Sequence, residues 1–310
     1  MKTAPIDVGI EIASIDEGVP LDAGEPARSS KHDEAVFNFV EAIQAAAEPS
    51  SAPVRPLVIF LVGRMGSGKS STANLVCGEP LFVARRSVAA VTYECTAQVL
   101  ASESQGGSHP SPLARPVIVV DTPGIGDPNQ SIAHIFSSIV EKADWIDKEL
   151  ARCPKIQAEF AIMLVLGVNT RVTDADLQSW WALKHVFGPR WLASSVIVWT
   201  HGDLLGPGGI DDFLEGASED VLQLLRASAG GQIVVQNRMT ELAHVPAAGS
   251  VVSEAYDAQR QRLLDAVQTI AAASLPRPRG KQARRLRQQQ ARDEMRARGV
   301  ENGLGWCTIT

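Results

Sequence analysis

The chain has 310 residues, of which 45% are hydrophobic and 21% are charged, and it carries a formal net charge of −6. This composition suits one medium-sized domain with additional segments at its ends, and a mean hydropathy of +0.01 argues against a membrane-spanning protein. The four cysteines, Cys77, Cys95, Cys153 and Cys307, are widely spaced without a C-x-x-C pair, which argues against a metal cluster or a disulfide framework and fits a reducing cytosol.

Residues 1–30 are acidic and lack sustained hydrophobic periodicity, so we expect this head to be disordered. The sequence after Met1 is acidic and has no apolar core, so we expect no signal peptide and a cytoplasmic protein. Residues 31–54 are predicted to form an amphipathic helix, over 31–48, and a Pro-rich linker. The helix would either pack on the next domain or act as a spacer. Its apolar side is predicted to consist of Val36, Phe37, Val40 and Ile43.

The segment 57–71 carries the pattern G-x-x-x-x-G-K-[ST] directly after an unbroken apolar run. Such a run is typical of a strand buried on both faces, and the residues after the pattern are compatible with a helix that ends at Gly78. The glycines let several backbone N–H groups point toward one anion. The pattern therefore predicts a phosphate-binding loop in which Lys69 bridges the outer phosphates and Ser70 holds Mg²⁺. The predicted loop consists of Gly63, Arg64, Met65, Gly66, Ser67, Gly68, Lys69, Ser70 and Ser71.

A loop over residues 79–91 and a strand over 92–100 are predicted next. The apolar run 117–120 then predicts a buried strand that ends in the tetrapeptide D-T-P-G. An aspartate after such a strand is typical of a Walker B position. Asp121 is therefore predicted to contact Mg²⁺ through a water, and the N–H of Gly124 to meet the γ-phosphate.

Helices and strands alternate through the rest of the central segment, residues 55–274. This alternation predicts an α/β fold with a doubly wound, mostly parallel sheet and helices on both faces. Ligands of such sheets bind at the carboxyl ends of the strands, where the polar clusters of this sequence lie. The predicted helices cover residues 131–151, 174–187, 211–227 and 254–273, and the predicted strands cover 160–166, 195–199 and 232–235.

The tetrapeptide T-H-G-D, Thr200 to Asp203, also follows a predicted strand. A carboxylate at this strand end can accept two hydrogen bonds from the N–H groups of guanine, whereas adenine offers no such donor pair on that edge. Asp203 therefore predicts guanine recognition, with a turn in which Asp203 only caps a helix as the alternative. Asn237 follows the last predicted strand and would support the base.

Residues 275–310 form a basic tail broken by prolines, with nine basic and two acidic side chains between residues 277 and 298. We expect this tail to contact an anionic membrane or another acidic surface, and a solvated basic helix is the alternative. No aromatic platform accompanies the arginines, so we expect no sequence-specific nucleic-acid binding. The last four residues, from Cys307, have the C-a-a-X form, although threonine is not a usual last residue for prenylation.

The order of these motifs resembles that of a P-loop GTPase domain. Residues 164–203 resemble the AIG-type GTPases, the GTPases of immunity-associated proteins (GIMAPs), whose branch also includes the septins and the Toc-class chloroplast import receptors. That family carries a box similar to R-F-T-x-E-[DE] after its fourth strand, followed by a helix ending in F-G and a strand ending in T-x-x-D. Here the box reads Arg171, Val172, Thr173, Asp174, Ala175 and Asp176, and the helix ends in Phe187 and Gly188.

The resemblance implies bound GTP or GDP, Mg²⁺ as a cofactor, and a homodimer or homo-oligomer. The family's switch threonine, which closes on Mg²⁺ and the γ-phosphate, matches Thr92 best, with Thr96 as the fallback. Arg171 lies in the box that this branch uses at its dimer interface, and it would act as a catalytic residue on the partner's phosphates. The alternative is that Arg171 pairs with Asp174 or Asp176 at its own helix end.

Three positions depart from the patterns of related GTPases. His201 stands where most GTPases have lysine, although its ring can still stack on the base. Met65 replaces the threonine common in the GIMAP loop and would crowd the γ-phosphate. Ile125 stands where Ras-like proteins have a glutamine that orients water, so a monomer is expected to hydrolyse GTP slowly.

We therefore expect a GTP-binding switch protein with slow hydrolysis and nucleotide-dependent self-association, located in the cytoplasm and peripherally at a membrane surface. Three alternatives stay open. The chain would be a scaffold that keeps GTP bound without turnover, a Toc-like membrane receptor, or a P-loop ATPase in which Asp203 is only a helix cap.

Overall fold

The structure is a computed structural model, and it describes a defined set of residues. These are 34–45, 52–84, 92, 94–101, 109–127, 130–173, 177, 180, 183, 186–188, 191–236 and 249–273. The predictions for the acidic head, the basic tail and Asn237 lie outside the described residues.

The described residues contain a six-stranded sheet. Its strands are β1 (Leu57–Gly63), β2 (Thr96–Leu100), β3 (Val117–Asp121), β4 (Glu159–Gly167), β5 (Ser195–Thr200) and β6 (Gln232–Val234). They lie in the order β2-β3-β1-β4-β5-β6, with β2 antiparallel to β3 and all other neighbours parallel. The predicted doubly wound, mostly parallel sheet is confirmed.

Helices cover both faces of this sheet, as predicted. They are α1 (Glu34–Ala45), α2 (Lys69–Cys77), α3 (Ile132–Leu150), α4 (Gly209–Leu214), α5 (Glu219–Ala227) and α6 (Gly249–Ala273). Short 3₁₀ turns cover Trp191–Ser194 and Gly202–Leu204, and Leu177, Trp180, Leu183, Val186 and Phe187 are helical. Within the described part of the chain, none of the helices combines the length and hydrophobicity needed to cross a membrane.

Some predicted boundaries were wrong. The single helix predicted over 211–227 is two helices, because Gly216 at φ +76° breaks it. A new helix, α5, then begins after Ser218, whose hydroxyl accepts a hydrogen bond from the Val221 N–H. The strand predicted from Thr92 begins only at Thr96, and the last helix begins earlier than predicted, at Gly249.

Two apolar layers sandwich the sheet because the central strands are apolar on both faces. Alternate residues of β1 point to opposite sides, so Val58 and Phe60 pack with α1, α3 and α5, whereas Leu57 and Ile59 pack with α2 and α6. The parallel strands β1, β3 and β5 end at the same edge of the sheet. This arrangement brings the segments that follow them, including the predicted phosphate loop, D-T-P-G and T-H-G-D, to one side of the molecule.

Helix α1 packs on the domain and is not a separate spacer. Val36, Phe39 and Val40 are fully buried in the layer that contains α3, at the i, i+3, i+4 spacing of a helical face. Phe37, which was predicted on this face, is only half-buried, and the guanidinium of Arg152 lies 5.2 Å from its ring centre. Phe39 takes the buried aromatic position because it lies three residues after Val36 and four before Ile43, on the buried face of the helix.

Candidate functional site

The loop between β1 and α2 has glycine where its backbone requires it. Gly66 and Gly68 lie in the left-handed region, with φ of +75° and +86°. Gly63 approaches β4 so closely that a Cβ atom on it would be 2.1 Å from the carbonyl oxygen of Val165. Ser70 and Ser71 lie half-buried in the first turn of α2, whose N-terminus faces the loop. This geometry presents backbone N–H groups to an anion, as the predicted phosphate loop requires.

Lys69 lies inside this loop at the first position of α2, with only 6% of its surface exposed. Its Nζ donates hydrogen bonds to the carbonyl oxygens of Gly63 at 3.2 Å and Arg64 at 2.8 Å. Burial lowers the pKa of Lys69 to about 8, and the negative charge of Asp121 opposes this shift. A phosphate in the loop would compensate for the burial of the ammonium charge.

Three oxygen-bearing side chains from separate segments, Ser70, Thr92 and Asp121, lie together. Ser70 Oγ donates to Asp121 Oδ2 at 2.6 Å, and Thr92 Oγ1 donates to the same oxygen at 3.3 Å. The two hydroxyl oxygens are 3.4 Å apart. Burial raises the pKa of Asp121, whereas the charge of Lys69 and the hydrogen bonds from both hydroxyls oppose this rise. The structure therefore brings together the residues predicted to hold Mg²⁺. Thr92, the preferred candidate for the switch threonine, contacts both of the others.

The chemistry of this set fits Mg²⁺. It provides hard oxygen donors, and protein sites for Mg²⁺ commonly supply only one or two such ligands beside phosphates and water. Among the described residues, none donates a hydrogen bond to the buried second carboxylate oxygen of Asp121, Oδ1, which a cation or its bound water would satisfy. Nowhere in the described ranges do three or more His, Cys, Asp and Glu side chains gather into a different metal site.

The D-T-P-G segment touches the phosphate loop through its backbone. The Met65 N–H donates to the carbonyl oxygen of Ile125, and the Ile125 N–H donates to that of Gly63, both at 3.0 Å. A Cβ atom on Gly124 would lie 2.4 Å from Met65 Cα, so only glycine fits there. Gly124, whose N–H is predicted to meet the γ-phosphate, therefore lies against the phosphate loop. The residue that follows it, Ile125, has an apolar, buried side chain.

The T-H-G-D segment forms a turn between β5 and α4. His201 has φ +58°, and it is the one non-glycine residue with positive φ in the described ranges, a conformation that clusters at functional sites. A Cβ atom on Gly202 would be 2.5 Å from Val234 Cγ1, so the glycine seats this turn against β6. Asp203 is exposed on the turn, where a base can reach its carboxylate.

Thr200 has a structural contact that the sequence did not predict. Its side chain is fully buried, and its hydroxyl oxygen lies 2.6 Å from the carbonyl oxygen of Ser67 and 3.2 Å from that of Leu166. The hydroxyl thus ties the end of β5 to the phosphate loop. Thr200 therefore contacts the phosphate loop from the end of β5 and helps to hold the loop in place.

Arg171 is exposed and lies beside the phosphate loop of its own chain. It lines a recess of about 30 Å³ together with residues 64–67 and Trp180. Its alternative partners, Asp174 and Asp176, lie outside the described residues. The role of Arg171 on a partner molecule stays a prediction.

Sequence reasoning missed two further side chains that hold the site in place. Thr122 is fully buried and its hydroxyl donates to the carbonyl oxygen of Leu61 at 2.7 Å, which joins β3 to β1. Asn74 of α2 exchanges two hydrogen bonds with the backbone of Phe82, of 2.9 and 2.8 Å. Both contacts join the loops of the site to the core. No local pattern in the sequence distinguished these two side chains from the polar residues beside them.

Comparisons with curated proteins find relatives in Arabidopsis thaliana. The chain is 29% identical to immune-associated nucleotide-binding protein 4 over 197 residues, which is 62% of this chain and 54% of that protein. It is 28% identical to immune-associated nucleotide-binding protein 7 over 185 residues, 58% of this chain and 53% of that protein. The chain therefore spans about half the length of the curated relatives it matches.

Among solved structures, the chain is similar to Toc33 from Arabidopsis thaliana. A dimerization-deficient mutant of Toc33 is 15% identical with a TM-score of 0.47, covering 78% of this chain and 93% of that chain. The complex of Toc33 with GDP and Mg²⁺ is 16% identical with a TM-score of 0.46, at the same coverage. The model of the AIG1 family matches residues 57–297, from the first residue of β1 onward. The chain belongs to the AIG1 family.

Proposed function

We propose that this protein is a Mg²⁺-dependent GTP-binding switch protein with slow GTP hydrolysis. The observation that carries the proposal is the meeting of Ser70, Thr92 and Asp121 beside Lys69 at the mouth of a glycine-shaped loop. Family membership supports a nucleotide as the ligand, because the curated relatives in this comparison are named nucleotide-binding proteins.

The roles of the side chains follow from the charge of a nucleoside triphosphate. The amides of the loop and the ammonium of Lys69 would hold the β- and γ-phosphates. Ser70, Asp121 and Thr92 would hold Mg²⁺, which neutralises charge on the phosphate oxygens when it is bound. Thr92 and Gly124 would differ in their contacts between GTP and GDP, because only GTP offers a γ-phosphate to them.

Slow hydrolysis is proposed because the residue that follows Gly124 is an isoleucine, Ile125. Phosphoryl transfer to water depends on a side chain that orients the attacking water. Ile125 has an apolar side chain with 4% exposure, and its backbone is hydrogen-bonded to Gly63 and Met65. Ile125 therefore cannot position water by a polar group.

Guanine preference is proposed from Asp203, and base competition tests it. GTP should displace a fluorescent guanine nucleotide well, whereas ATP should not. Asp203→Ala should weaken GTP binding by about 2–4 kcal/mol, because two hydrogen bonds from the base are lost. Asp203→Asn should shift preference toward xanthine nucleotides, whose hydrogen-bond pattern complements an amide.

Asp211→Asn is the matched control, because it removes an equally exposed carboxylate from the neighbouring helix α4. This control should bind GTP as the wild type does. Equal affinity of the wild type for ATP and GTP would contradict the guanine assignment and favour the ATPase alternative.

A homodimer or homo-oligomer with Arg171 acting on the partner's phosphates is also proposed. Arg171 is exposed next to the phosphate loop, so an arginine on this surface can reach a second molecule placed across the loop. A guanidinium there would stabilise the charge that develops on the γ-phosphate. Size-exclusion chromatography with GDP and with a non-hydrolysable GTP analogue tests whether association depends on the nucleotide.

A GTP-bound scaffold without turnover is the second candidate, and the apolar Ile125 favours it. Single-turnover measurement with radiolabelled GTP separates the two functions. A release of phosphate that never exceeds the no-protein rate, at any protein concentration, would establish the scaffold.

A cytoplasmic protein that associates peripherally with anionic membranes is proposed from the charge of the basic tail alone. The Toc-like receptor alternative shares this requirement for a membrane. Flotation of the full chain with phosphatidylserine vesicles, at low and high salt, measures this association. Recovery of the chain only in the bottom fraction at low salt would contradict it.

A further inference from the structure

An open groove of about 600 Å³ lies at the β6 edge of the sheet. Leu214, Leu222 and Leu225 from α4 and α5 line it, and each of these leucines is half-buried. Asp211 and Glu215 lie on its rim, one helical turn apart and exposed. The groove therefore combines an apolar floor with a carboxylate rim.

The charge around this groove is predominantly negative, because three carboxylates line it and the basic residue in its lining, Arg226, is paired with Glu219. Residues 202–225 contain six acidic side chains and no lysine, arginine or histidine. Two of the carboxylates near the groove have contacts of their own: Glu219 pairs with Arg226 at 2.8 Å, and the Asp212 carboxylate lies against Gly208. Asp211 and Glu215 remain as the rim carboxylates most accessible to a cationic ligand.

The chain itself supplies such a ligand close by. Near the end of α6, Ile270 packs on the turn before β6, where a Cβ atom on Gly230 would be 3.1 Å from Ile270 Cγ2. That turn leads within two residues to Gln232, which also lines the groove. Helix α6 therefore ends near the same edge, and the four residues from Ala273 to Arg277 can span up to about 13 Å.

The composition of residues 277–298 complements the groove. Nine basic and two acidic side chains give this stretch a net charge of +7. Arginine stems cover apolar surface while their guanidinium groups pair with carboxylates, which matches a leucine floor with an acidic rim. Attachment to the same chain gives the stretch a high effective concentration at the groove.

We infer that residues 277–298 dock in the α4–α5 groove of their own molecule, held by Asp211 and Glu215. Docking sequesters the basic side chains, so an anionic membrane competes with the groove for them. This intramolecular contact does not depend on the identity of the bound nucleotide and stands apart from the proposed nucleotide binding, although it uses the same basic tail as the proposed membrane association.

Limited trypsin digestion of the full chain tests the docking, with mass spectrometry to follow cleavage after the arginines of residues 277–298. Proteolysis reports the open fraction when opening is fast, so at low salt these sites should be cut at least roughly tenfold more slowly than in a synthetic peptide of residues 274–310. In ~1 M salt, where the Debye length is about 3 Å, the chain and the peptide should be cut at similar rates.

Charge reversal at the rim separates docking from general charge effects. Asp211→Lys with Glu215→Lys should raise cleavage to the rate of the peptide. Glu141→Lys with Asp257→Lys is the matched control, because both residues are exposed and the charge change is the same. Asp257 lies on α6 about 24 Å from its end at Ala273. The neutral pair Asp211→Asn with Glu215→Gln should give an intermediate rate, and it tests the contact with less disturbance of α4.

Three results would overturn the inference. Cleavage of the wild type as fast as the peptide at low salt would show that the groove is empty. Protection that increases with protein concentration would place the contact between two copies. Protection that occurs only after phosphatidylserine vesicles are added, and persists in the rim variant, would assign the stretch to the membrane.

Discussion

Two glycines share a backbone conformation but differ in their surroundings, so we expect alanine to destabilise the protein by different amounts at the two positions. Gly78 at the end of α2 has φ +82° and Gly126 has φ +84°. A Cβ atom on Gly78 would be 2.6 Å from the guanidinium carbon of Arg260, whereas one on Gly126 would have nothing within 4 Å. Alanine should cost roughly 1–2 kcal/mol of left-handed strain at either position.

Gly78→Ala should therefore destabilise the protein more than Gly126→Ala, by about 1 kcal/mol, because Arg260 must also move. Urea unfolding of both variants measures this difference. Equal free energies of unfolding would show that the crowding at Gly78 relaxes without cost.

Buried thiols make the stability of the protein sensitive to alkaline pH. Burial raises the pKa of both Cys77 and Cys95 from 9.0 to about 12. The unfolded chain releases these protons first, so above pH 9 the native state binds more protons and its stability falls as pH rises. Each thiol should lower the free energy of unfolding by roughly 1 kcal/mol between pH 8 and pH 10.

Urea unfolding at these two pH values measures the loss for the wild type and for Cys77→Ala with Cys95→Ala. The double variant should start less stable, since it leaves small cavities, but it should lose less stability on going to pH 10. A loss of the same size in both proteins would contradict the assignment to these thiols.

Several contacts of single residues lay beyond sequence reasoning. The glycine positions of the phosphate loop follow a pattern whose backbone geometry is known, so Gly66 and Gly68 were predictable. The buried hydroxyl of Thr200, by contrast, contacts Ser67 across 133 positions of the chain. Such a contact depends on the register of β5 beside β4, and no local pattern encodes it.

At the scale of elements, α6 holds the C-terminal end of α2. Arg260 of α6 donates hydrogen bonds to the carbonyl oxygens of Val76 at 3.2 Å and Cys77 at 2.9 Å. These carbonyls end α2 and have no partner within that helix, and a cation there also complements the helix dipole. The phosphate-loop helix is therefore fixed at its far end by a helix from much later in the chain.

Arg260→Ala should destabilise the protein by about 1–2 kcal/mol, because two charge-assisted hydrogen bonds and the dipole interaction are lost. Arg262→Ala is the control, since Arg262 is exposed on the same helix and the change removes the same charge. Guanidinium chloride midpoints of the two variants should differ accordingly. If Arg260→Ala and Arg262→Ala lowered the free energy of unfolding equally, Arg260 would not stabilise the end of α2.

Element types were more predictable than element ends. Uniformly apolar strands between helical segments predict a mostly parallel sheet, and the sheet is parallel except for β2. The division between α4 and α5 was missed because the apolar spacing of residues 211–227 continues through Gly216. One glycine in a periodic segment is often tolerated within a helix, so its left-handed φ could not be read from spacing.

At the scale of the whole molecule, the proposed dimer makes hydrolysis depend on protein concentration. Specific GTPase activity should rise with concentration, because Ile125 cannot orient water and, in the proposed dimer, each site would receive Arg171 from a partner. Arg171→Ala should abolish this rise while leaving GTP affinity nearly unchanged. Steady-state phosphate release over a wide range of protein concentration, with equilibrium GTP binding, provides the measurement.

Mixing separates a contribution from the partner from one within the same chain. Arg171→Ala retains an intact nucleotide site, and Lys69→Ala retains an intact arginine, so their mixture should recover some turnover that neither has alone. Arg262→Ala controls for loss of an exposed arginine and should behave as the wild type does. Specific activity that is flat with concentration and indifferent to Arg171 would refute the dimer mechanism.

The packing of α1 has a consequence for the newly made chain. Helix α1 buries Val36, Phe39 and Val40 in a layer that also requires α3, which ends only at Leu150. At translation rates of about 5–20 residues per second, α1 leaves the ribosome roughly 5–20 s before its partner helix is complete. During that interval the part of its apolar stripe that packs against α3 has no native surface to cover it. We therefore expect α1, the first helix of the described residues, to complete its packing late and to be a client for chaperones that hold nascent chains.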